Sequence, residues 1–404
     1  MPTPMGRIRP FEYDRDEAPL RRIVARAFGG PDDAIAAYFE LVGREHLRVL
    51  DETPGGPQIA AGLARMTMGH WFGGRSVPCL GIAAVAVAPE ARGGGRAREL
   101  MRGIVREAHD EGTPLLSLYA STQALYRQVG FEQAGTRCEF RVPLRQLTGG
   151  SRDGAIEEVH ALVDDEPNPR LVACYRAFAE RFDGMLDRSR FVWSRIQRHR
   201  EHSYHGLAFV PEGPGGPIEG YVFLAHVRRD DGRFDIAMSD CAFATPRAGQ
   251  RILGLLRDYA SMGVTLTFFG GASHPLLMLL PQQWFDVQVR EYSMLRIARF
   301  ADAIAARGYA PTSTGSVVCA VEDDLVAENT GRFEITVREG RGVARPTTAT
   351  PAFSADIRTW ASIYAGFLAP RQATLLGLAE GDDAAARALG GFFAGSSPWM
   401  TDMF

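Results

Sequence analysis

Lysine is absent from the 404 residues, so all 45 basic side chains are arginine. One consequence is that no Gly-Lys-Ser/Thr can close a phosphate-binding P-loop. Cysteine is scarce. The five cysteines (Cys79, Cys138, Cys174, Cys241, Cys319) are odd in number and scattered. With no Cys-x-x-Cys pair and no Cys/His cluster, they argue against a disulfide framework or a zinc site, and no metal is expected. No run approaches the roughly 18 apolar residues a membrane span needs. The opening MPTPMGRIRP has no apolar signal-peptide core, so the expected location is the cytoplasm. An excess of either charge is missing too. The net charge of -3 suggests neither nucleic acid nor an anionic membrane as partner.

What is present fits a large globular enzyme. The 46% hydrophobic content is ordinary, and the length suits about two or three domains. The most informative stretch is VAVAPEARGGGRARELMRGIVREA, residues 85–108. Val85 and Val87 alternate with Ala86 and Ala88 as in a buried strand, and Pro89 ends the ladder because it has no N–H to donate. From Ala97, apolar residues fall at Leu100, Met101, Ile104, Val105 and Ala108, which is helical spacing, and Gly112 supplies a stop. Arg92 to Arg96 is therefore a strand-to-helix loop. Its glycines permit unusual backbone angles and let a ligand approach the free N–H groups of the helix start, a setting that favours phosphate.

The spacing is neither the dinucleotide fingerprint nor a P-loop. It resembles motif A of the GCN5-related N-acetyltransferases (GNAT), V-x-V-x-P-x-x-R-x-x-G-x-[GA], matched by Val85, Val87, Pro89, Arg92, Gly95 and Ala97. A second strand, PLLSLYAS, ends at Ser121 and Thr122. LYRQVGFE, residues 125–132, then gives the Tyr-x-x-x-Gly-Phe element of such domains.

The rest of the chain divides by composition. RVPLRQLTGGSRDGA is a polar boundary, so residues 1–148 form an N-terminal acetyltransferase-like domain. Residues 149–300 begin with helical VACYRAFAERFDG and SRFVWSRIQRHR and continue into strands. They then repeat the earlier order weakly: AFATPRAGQRILGLLRDYASMG followed by VTLTFFG and a helix near QQWFD. This copy lacks R-x-x-G-x-G after Pro246 and is expected to be a degenerate duplicate. Residues 301–404 read as strands, then helices (SADIRTWASIYAG, DDAAARALGGFFAG), similar in pattern to a sterol-carrier-protein-like domain. The fold class is α+β (mixed α/β): tandem acetyltransferase-like domains followed by the sterol-carrier-like one.

That order, and an end in SSPWMTDMF, resembles the Eis (enhanced intracellular survival) family of N-acetyltransferases over essentially the whole chain. The resemblance implies acetyl-CoA as co-substrate, held by the backbone at Val85, Ala86 and Val87, by Arg92, by the loop Gly93, Gly94, Gly95, Arg96, Ala97 and Arg98, and by Ser121 and Thr122. It implies Tyr126 as general acid and the α-carboxylate of Phe404 as general base. It implies an amine acceptor, either a small polyamine or aminoglycoside or a protein lysine, and a homo-oligomer, hexameric in the family. A polycationic acceptor needs a carboxylate-lined pocket, for which the chain offers Asp32, Asp33 and Asp402 beside a basic LRRIVARAFGG.

Other readings stay open at this point. Tyr126 with Leu125 and Val129 also suits a core position, and the apolar tail also suits simple packing. His70, His109, His160 and His274 show no partner spacing and read as ordinary. The acetyltransferase fold could be a scaffold for a non-catalytic protein with a lipid-type carrier domain. The missing lysine has two readings: arginine codons of a GC-rich genome, or an enzyme that carries no amine of its own to acetylate.

Overall fold

The computed structural model describes residues 6–53, 58–199 and 202–404. The opening MPTPM and Arg200, at the end of the segment read as helical above, lie outside the described residues.

The first segment contributes β1 (Ile8–Pro10), helices α1 (Tyr13–Phe28) and α2 (Asp32–Val42), β2 (Leu47–Asp51), β3 (Ile59–Phe72), β4 (Arg75–Val87), α3 (Arg96–Asp110), β5 (Leu115–Tyr119), α4 (Gln123–Arg127) and β6 (Glu132–Pro143). The second has β7 (Ala155–Val159), α5 (Pro169–Ala179), α6 (Arg190–Gln197), β8 (His205–Val210), β9 (Gly220–Arg228), β10 (Phe234–Phe243), α7 (Pro246–Asp258), β11 (Gly263–Gly270), the four-residue α8 (Pro275–Met278) and β12 (Asp286–Ile297). The helix expected over SRFVWSRIQRHR stops at Gln197, and Arg198–His199 is extended.

These strands form one continuous sheet in the order β1-β2-β3-β4-β5-β12-β6-β11-β10-β9-β8-β7. The centre of that order is an exchange. β12 of the second segment lies between β5 and β6 of the first, and β6 lies between β12 and β11 of the second. Each segment thus lends its last strand to the other, so the boundary near residue 148 does not separate two closed sheets. The β4-α3-β5-α4-β6 and β10-α7-β11-α8-β12 series are the two copies of the internal repeat.

Helix α3 shows how the sequence seats these elements. Leu100, Met101, Ile104, Val105 and Ala108 are all fully buried, against Leu80, Ile82 and Leu116 of the sheet. Each large side chain contributes about 1.5–3 kcal/mol on burial. Gly112, at φ 82°, ends the turn that follows.

The last segment begins with α9 (Phe300–Ala306) and forms a second sheet of β13 (Gly315–Glu322), β14 (Gly331–Arg338), β15 (Arg341–Pro346), β16 (Phe353–Asp356) and β17 (Ala379–Gly381), ordered β15-β14-β13-β16-β17. Its helices are α10 (Ile357–Ala365), α11 (Pro370–Leu375) and α12 (Asp383–Phe392). Helix α10 is sandwiched between this sheet and the large one. Trp360 Nε1 donates to the Ala320 carbonyl at 3.1 Å, and the Tyr364 ring meets Phe72 at 5.4 Å. One apolar cluster therefore runs from the first segment into the last.

Candidate active site

Strands β4 and β5 run parallel but pair only from Cys79–Leu115 to Gly81–Ser117. Beyond that point they diverge, and β4 continues to Val87 while β5 continues to Tyr119. A bulge sharpens the divergence. Ala84 and Val85 together oppose Leu63, and Ala84 takes φ 52°, in the left-handed region rare for a non-glycine residue. The extra residue inverts side-chain alternation: Cys79 and Ala83 belong to the α10-side cluster, but beyond the bulge it is Ala86 that does. Val85 and Val87 turn to the α3 side. On the β5 side the backbone of Val85, Ala86 and Val87 has no strand partner among the described residues.

At the mouth of this wedge lies the glycine loop. Gly93 and Gly95 have φ 79° and 75°, and a methyl group at Gly93 would meet nothing within 4 Å. Gly95 is the N-cap of α3 and supplies no side-chain hydrogen bond, so the first N–H groups of the helix stay open. Arg92 and Arg98 are exposed beside it, Arg98 reaching Gln128 Oε1 at 3.4 Å. The Arg96 side chain turns back into the protein. It is buried and donates to Glu99 Oε2 at 2.8 Å and to the Glu52 carbonyl at 2.9 Å, so it pins the helix start and offers no charge to a phosphate. Only its backbone remains part of the loop.

Ser121 and Thr122 are exposed at the end of β5, and Thr122 is the N-cap of α4 with its hydroxyl unengaged in capping. Tyr126 projects into the α3-side cluster, edge-on to Phe131 at 6.0 Å. Its hydroxyl has no hydrogen-bond partner among the described residues, and burial pushes the phenol up to about 12. Phe404 approaches from the opposite face. Its ring lies 5.9 Å from Tyr119, and a methyl group at Gly81 would stand 3.0 Å from it. Gly81 leaves the space that this ring fills.

The acidic residues do not assemble. Asp32 pairs with Arg21 (Oδ1 to Nε 3.0 Å), and Asp33 is exposed at the start of α2. Asp402 is buried against Arg188, so the expectation that it faces an acceptor as a free carboxylate is corrected. The four histidines are structural. Nδ1 of His70 lies 3.1 Å from the Gly184 carbonyl, and His274 caps α8 at Leu276 N–H. Burial lowers both to about 4. His109 meets the Ala298 carbonyl and His160 meets Gln197.

Sequence reasoning missed the tail's supports. Tyr119 Oη donates to the Asp402 carbonyl at 3.0 Å, and Arg137 Nε donates to the Thr401 carbonyl at 2.9 Å. Arg137 also pairs with Glu291 at 2.8 Å and lies 3.5 Å over the Phe269 ring. Arg137, Glu291 and Phe269, with Val192, Met238 and tail residues 401–403, line a cavity of about 620 Å³. One local signal existed: Asp240, a lone acid inside the apolar strand IAMSDCAF.

Residues 7–134 and 184–297 each match a family model described as an acetyltransferase (GNAT) domain, and residues 300–401 match a sterol carrier protein domain. Fold and matches define a doubled GNAT acetyltransferase closed by a sterol-carrier-type domain. The chain is 27% identical over 397 residues to the N-acetyltransferase Eis of Mycobacterium bovis, covering 93% of this chain and 92% of that one. It is similar to the crystal structure of a GCN5-related N-acetyltransferase from Anabaena variabilis (TM-score 0.91, 29% identity, 99% and 100% of the two chains). A GCN5-related N-acetyltransferase from Kribbella flavida is similar too (TM-score 0.84, 26% identity, 100% and 99%). The chain thus carries two GNAT acetyltransferase domains and is similar over nearly its whole length to N-acetyltransferases named Eis. It is an enzyme, which sets aside the scaffold reading, and its fold implies acetyl-CoA as the donor.

Proposed function

We propose that the protein transfers acetyl from acetyl-CoA to a primary amine at the β4/β5 wedge, with Tyr126 as general acid and the α-carboxylate of Phe404 as general base. The observation that carries this reading is convergence. Tyr126 shares the α3-side cluster with Val85 and Val87, the Phe404 ring lies against Tyr119 and Gly81 on the other side of the sheet, and α3 starts without a side-chain cap.

The backbone of Val85 to Val87 and the loop from Arg92 to Arg98, with Ser121 and Thr122, bind and orient the donor. Two open glycines and free helix N–H groups suit a pyrophosphate. An alkyl ammonium has a pKa of about 10.4 and attacks only after losing a proton. The Phe404 carboxylate takes that proton, directly or through one water. As the N–C bond forms and the C–S bond breaks, the Tyr126 phenol protonates the departing thiolate. Its raised pKa keeps it protonated until needed.

For the acceptor, the cavity beside residues 401–403 is the natural chamber. Its described carboxylates, Glu291 and Asp402, are both paired to arginines, which suits a single primary amine, free or on a protein lysine, better than a polycationic aminoglycoside. Among the described residues no helix is long and apolar enough to cross a membrane, and the enzyme is taken to act in the cytoplasm as a homo-oligomer, hexameric in the family pattern. A monodisperse monomer in light scattering would remove the last point.

The mechanism is tested at Phe404. Appending two residues turns its carboxylate into an amide and displaces the new terminus by about 3.3–3.6 Å per residue. Turnover should collapse, whereas Phe404→Ala, which keeps the carboxylate, should cost less. Turnover intact after the extension, with any good amine acceptor, ends the terminal-base reading.

A further inference from the structure

In the segment 398–404 the side chains of Asp402 and Trp399 are held by the copy without a phosphate loop. Arg188 and Asp240, both fully buried, pair two-pronged: Nη1 to Oδ2 at 2.6 Å and Nη2 to Oδ1 at 2.8 Å. The same guanidinium turns its other edge to Asp402, Nε to Oδ2 at 3.1 Å and Nη2 to Oδ1 at 2.9 Å. Tyr221 donates to Asp240 at 2.8 Å, and the guanidinium carbon stands over the Tyr175 ring at 3.7 Å and the Trp193 ring at 5.1 Å. Every member except Asp402 comes from residues 149–300. Trp399, fully buried, packs on Phe182 and His274 of the same copy. The first half adds three hydrogen bonds to the tail backbone, from Thr136 N–H to the Pro398 carbonyl at 3.1 Å and from Tyr119 and Arg137.

A planar guanidinium gripped on two edges fixes direction as well as distance, which a packed apolar side chain does not. Asp402 stands two residues before Phe404, too short a span to absorb an error of register. Arg188 itself is set by Asp240, so the Asp402 side chain is tied through it to β10.

We propose that Arg188 and Asp240 of the loop-less copy are positioning residues: they clamp Asp402 and thereby register Phe404 in the wedge of the other copy. The proposal rests on the reading of Phe404 above. The second copy then has a function without binding a donor, as the jig in which the catalytic terminus is held.

Asp402→Ala tests this, because it leaves Arg188 paired with Asp240. Turnover should fall roughly 100-fold, the scale of an ångström-sized misplacement, with acetyl-CoA affinity by calorimetry unchanged. Asp402→Asn, which keeps the shape and one acceptor, should lie between the alanine variant and the parent. A second readout needs no activity. Carboxypeptidase Y should trim the full-length Asp402→Ala protein from its C-terminus at least tenfold faster than the parent. Equal trimming of the two overturns the clamp, and so does lost turnover with a tail still protected. Failure of the terminal-base reading appears separately, as a C-terminal extension that leaves turnover intact while the protease result stands.

Discussion

The two copies of the repeat share a frame and differ at one helix start. In both, the strand before the helix carries a bulge, Ala84 and Val85 in β4 and Ser239 in β10, where Phe223 and Leu224 oppose Asp240 and Met238. In both, the next parallel pair separates early, at Gly81–Ser117 and at Met238–Phe268. The helix starts are opposites. Helix α7 is sealed: the Thr245 side chain accepts from Ala248 N–H at 3.3 Å, Pro246 carries no N–H, and Arg247 is paired to Glu219. Helix α3 begins on Gly95 with no side-chain cap. A cap of the Thr245 kind contributes about 1 kcal/mol, which α3 forgoes. A helix that leaves stability unused at an exposed end is the more informative of the two, because an anion can supply what a side chain does not.

The largest effect expected from breaking this contrast is on catalysis. Tyr126→Phe removes a proton donor and leaves the edge contact with Phe131, so turnover should fall by about 10²–10⁴ with acetyl-CoA affinity nearly unchanged. Equal losses in both, or in neither, would make Tyr126 a packing residue. Gly95→Glu comes next. At φ 75° a side chain is strained, and a carboxylate there would face the pyrophosphate that the proposed donor site holds. Acetyl-CoA should bind at least roughly 100-fold more weakly, since like charges in contact cost several kcal/mol. Calorimetry showing parental affinity would dissolve the donor-site assignment.

Much of the wedge was legible because its chemistry is local. The 3.6-residue period of α3, the Pro89 stop and the glycine run lie within 24 consecutive residues, and the loop follows from them. The strand exchange was not legible. β12 pairs with β5 through contacts such as Leu295 with Ser117, and nothing local in either segment distinguishes that partner from its own. The site failed in the same way. Arg188 and Asp402 are 214 residues apart, so the acidity of TDMF could not be seen to be spent on a buried arginine. Arg96 shows a different limit: nothing local says that its side chain reaches back to the Glu52 carbonyl.

The halves can also be compared by acid. Each holds one fully buried, neutral histidine, His70 in the first and His274 in the second, both lowered to about 4 by burial. The unfolded chain binds those protons near pH 6.5 and the folded chain does not. Stability is therefore full above about 6.5 and is lost as pH falls toward about 4. At pH 5 the loss is about 2 kcal/mol per histidine. Buried Asp183 and Asp402, raised by burial, act in the opposite sense, so the histidine share is read by difference. Denaturant titrations at pH 7 and 5 should show a shallower pH dependence for His70→Asn and for His274→Asn than for the parent. Unchanged slopes would mean that neither imidazole resists protonation.

The smallest effect tests the sealed end itself. Thr245→Ala removes the hydroxyl that accepts from Ala248 N–H and that donates to Glu219 Oε2 at 2.7 Å. The loss should be about 1 kcal/mol, within the 0.5–2 kcal/mol usual for an N-cap, and acetyl-CoA affinity should not move. What makes the experiment discriminating is its partner, the parent titrated with donor. Saturating acetyl-CoA should stabilise the protein according to RT ln(1 + [L]/Kd), about 2.7 kcal/mol at 100 times Kd, by binding at α3. That increment should be the same in Thr245→Ala, because opening the second helix does not create a second donor site without glycines at positive φ before it. If the variant instead gains an extra donor-dependent increment, the missing loop is not what silenced the second copy. The cap would then have been the block, and the contrast between the two helix starts would rest on a single hydroxyl.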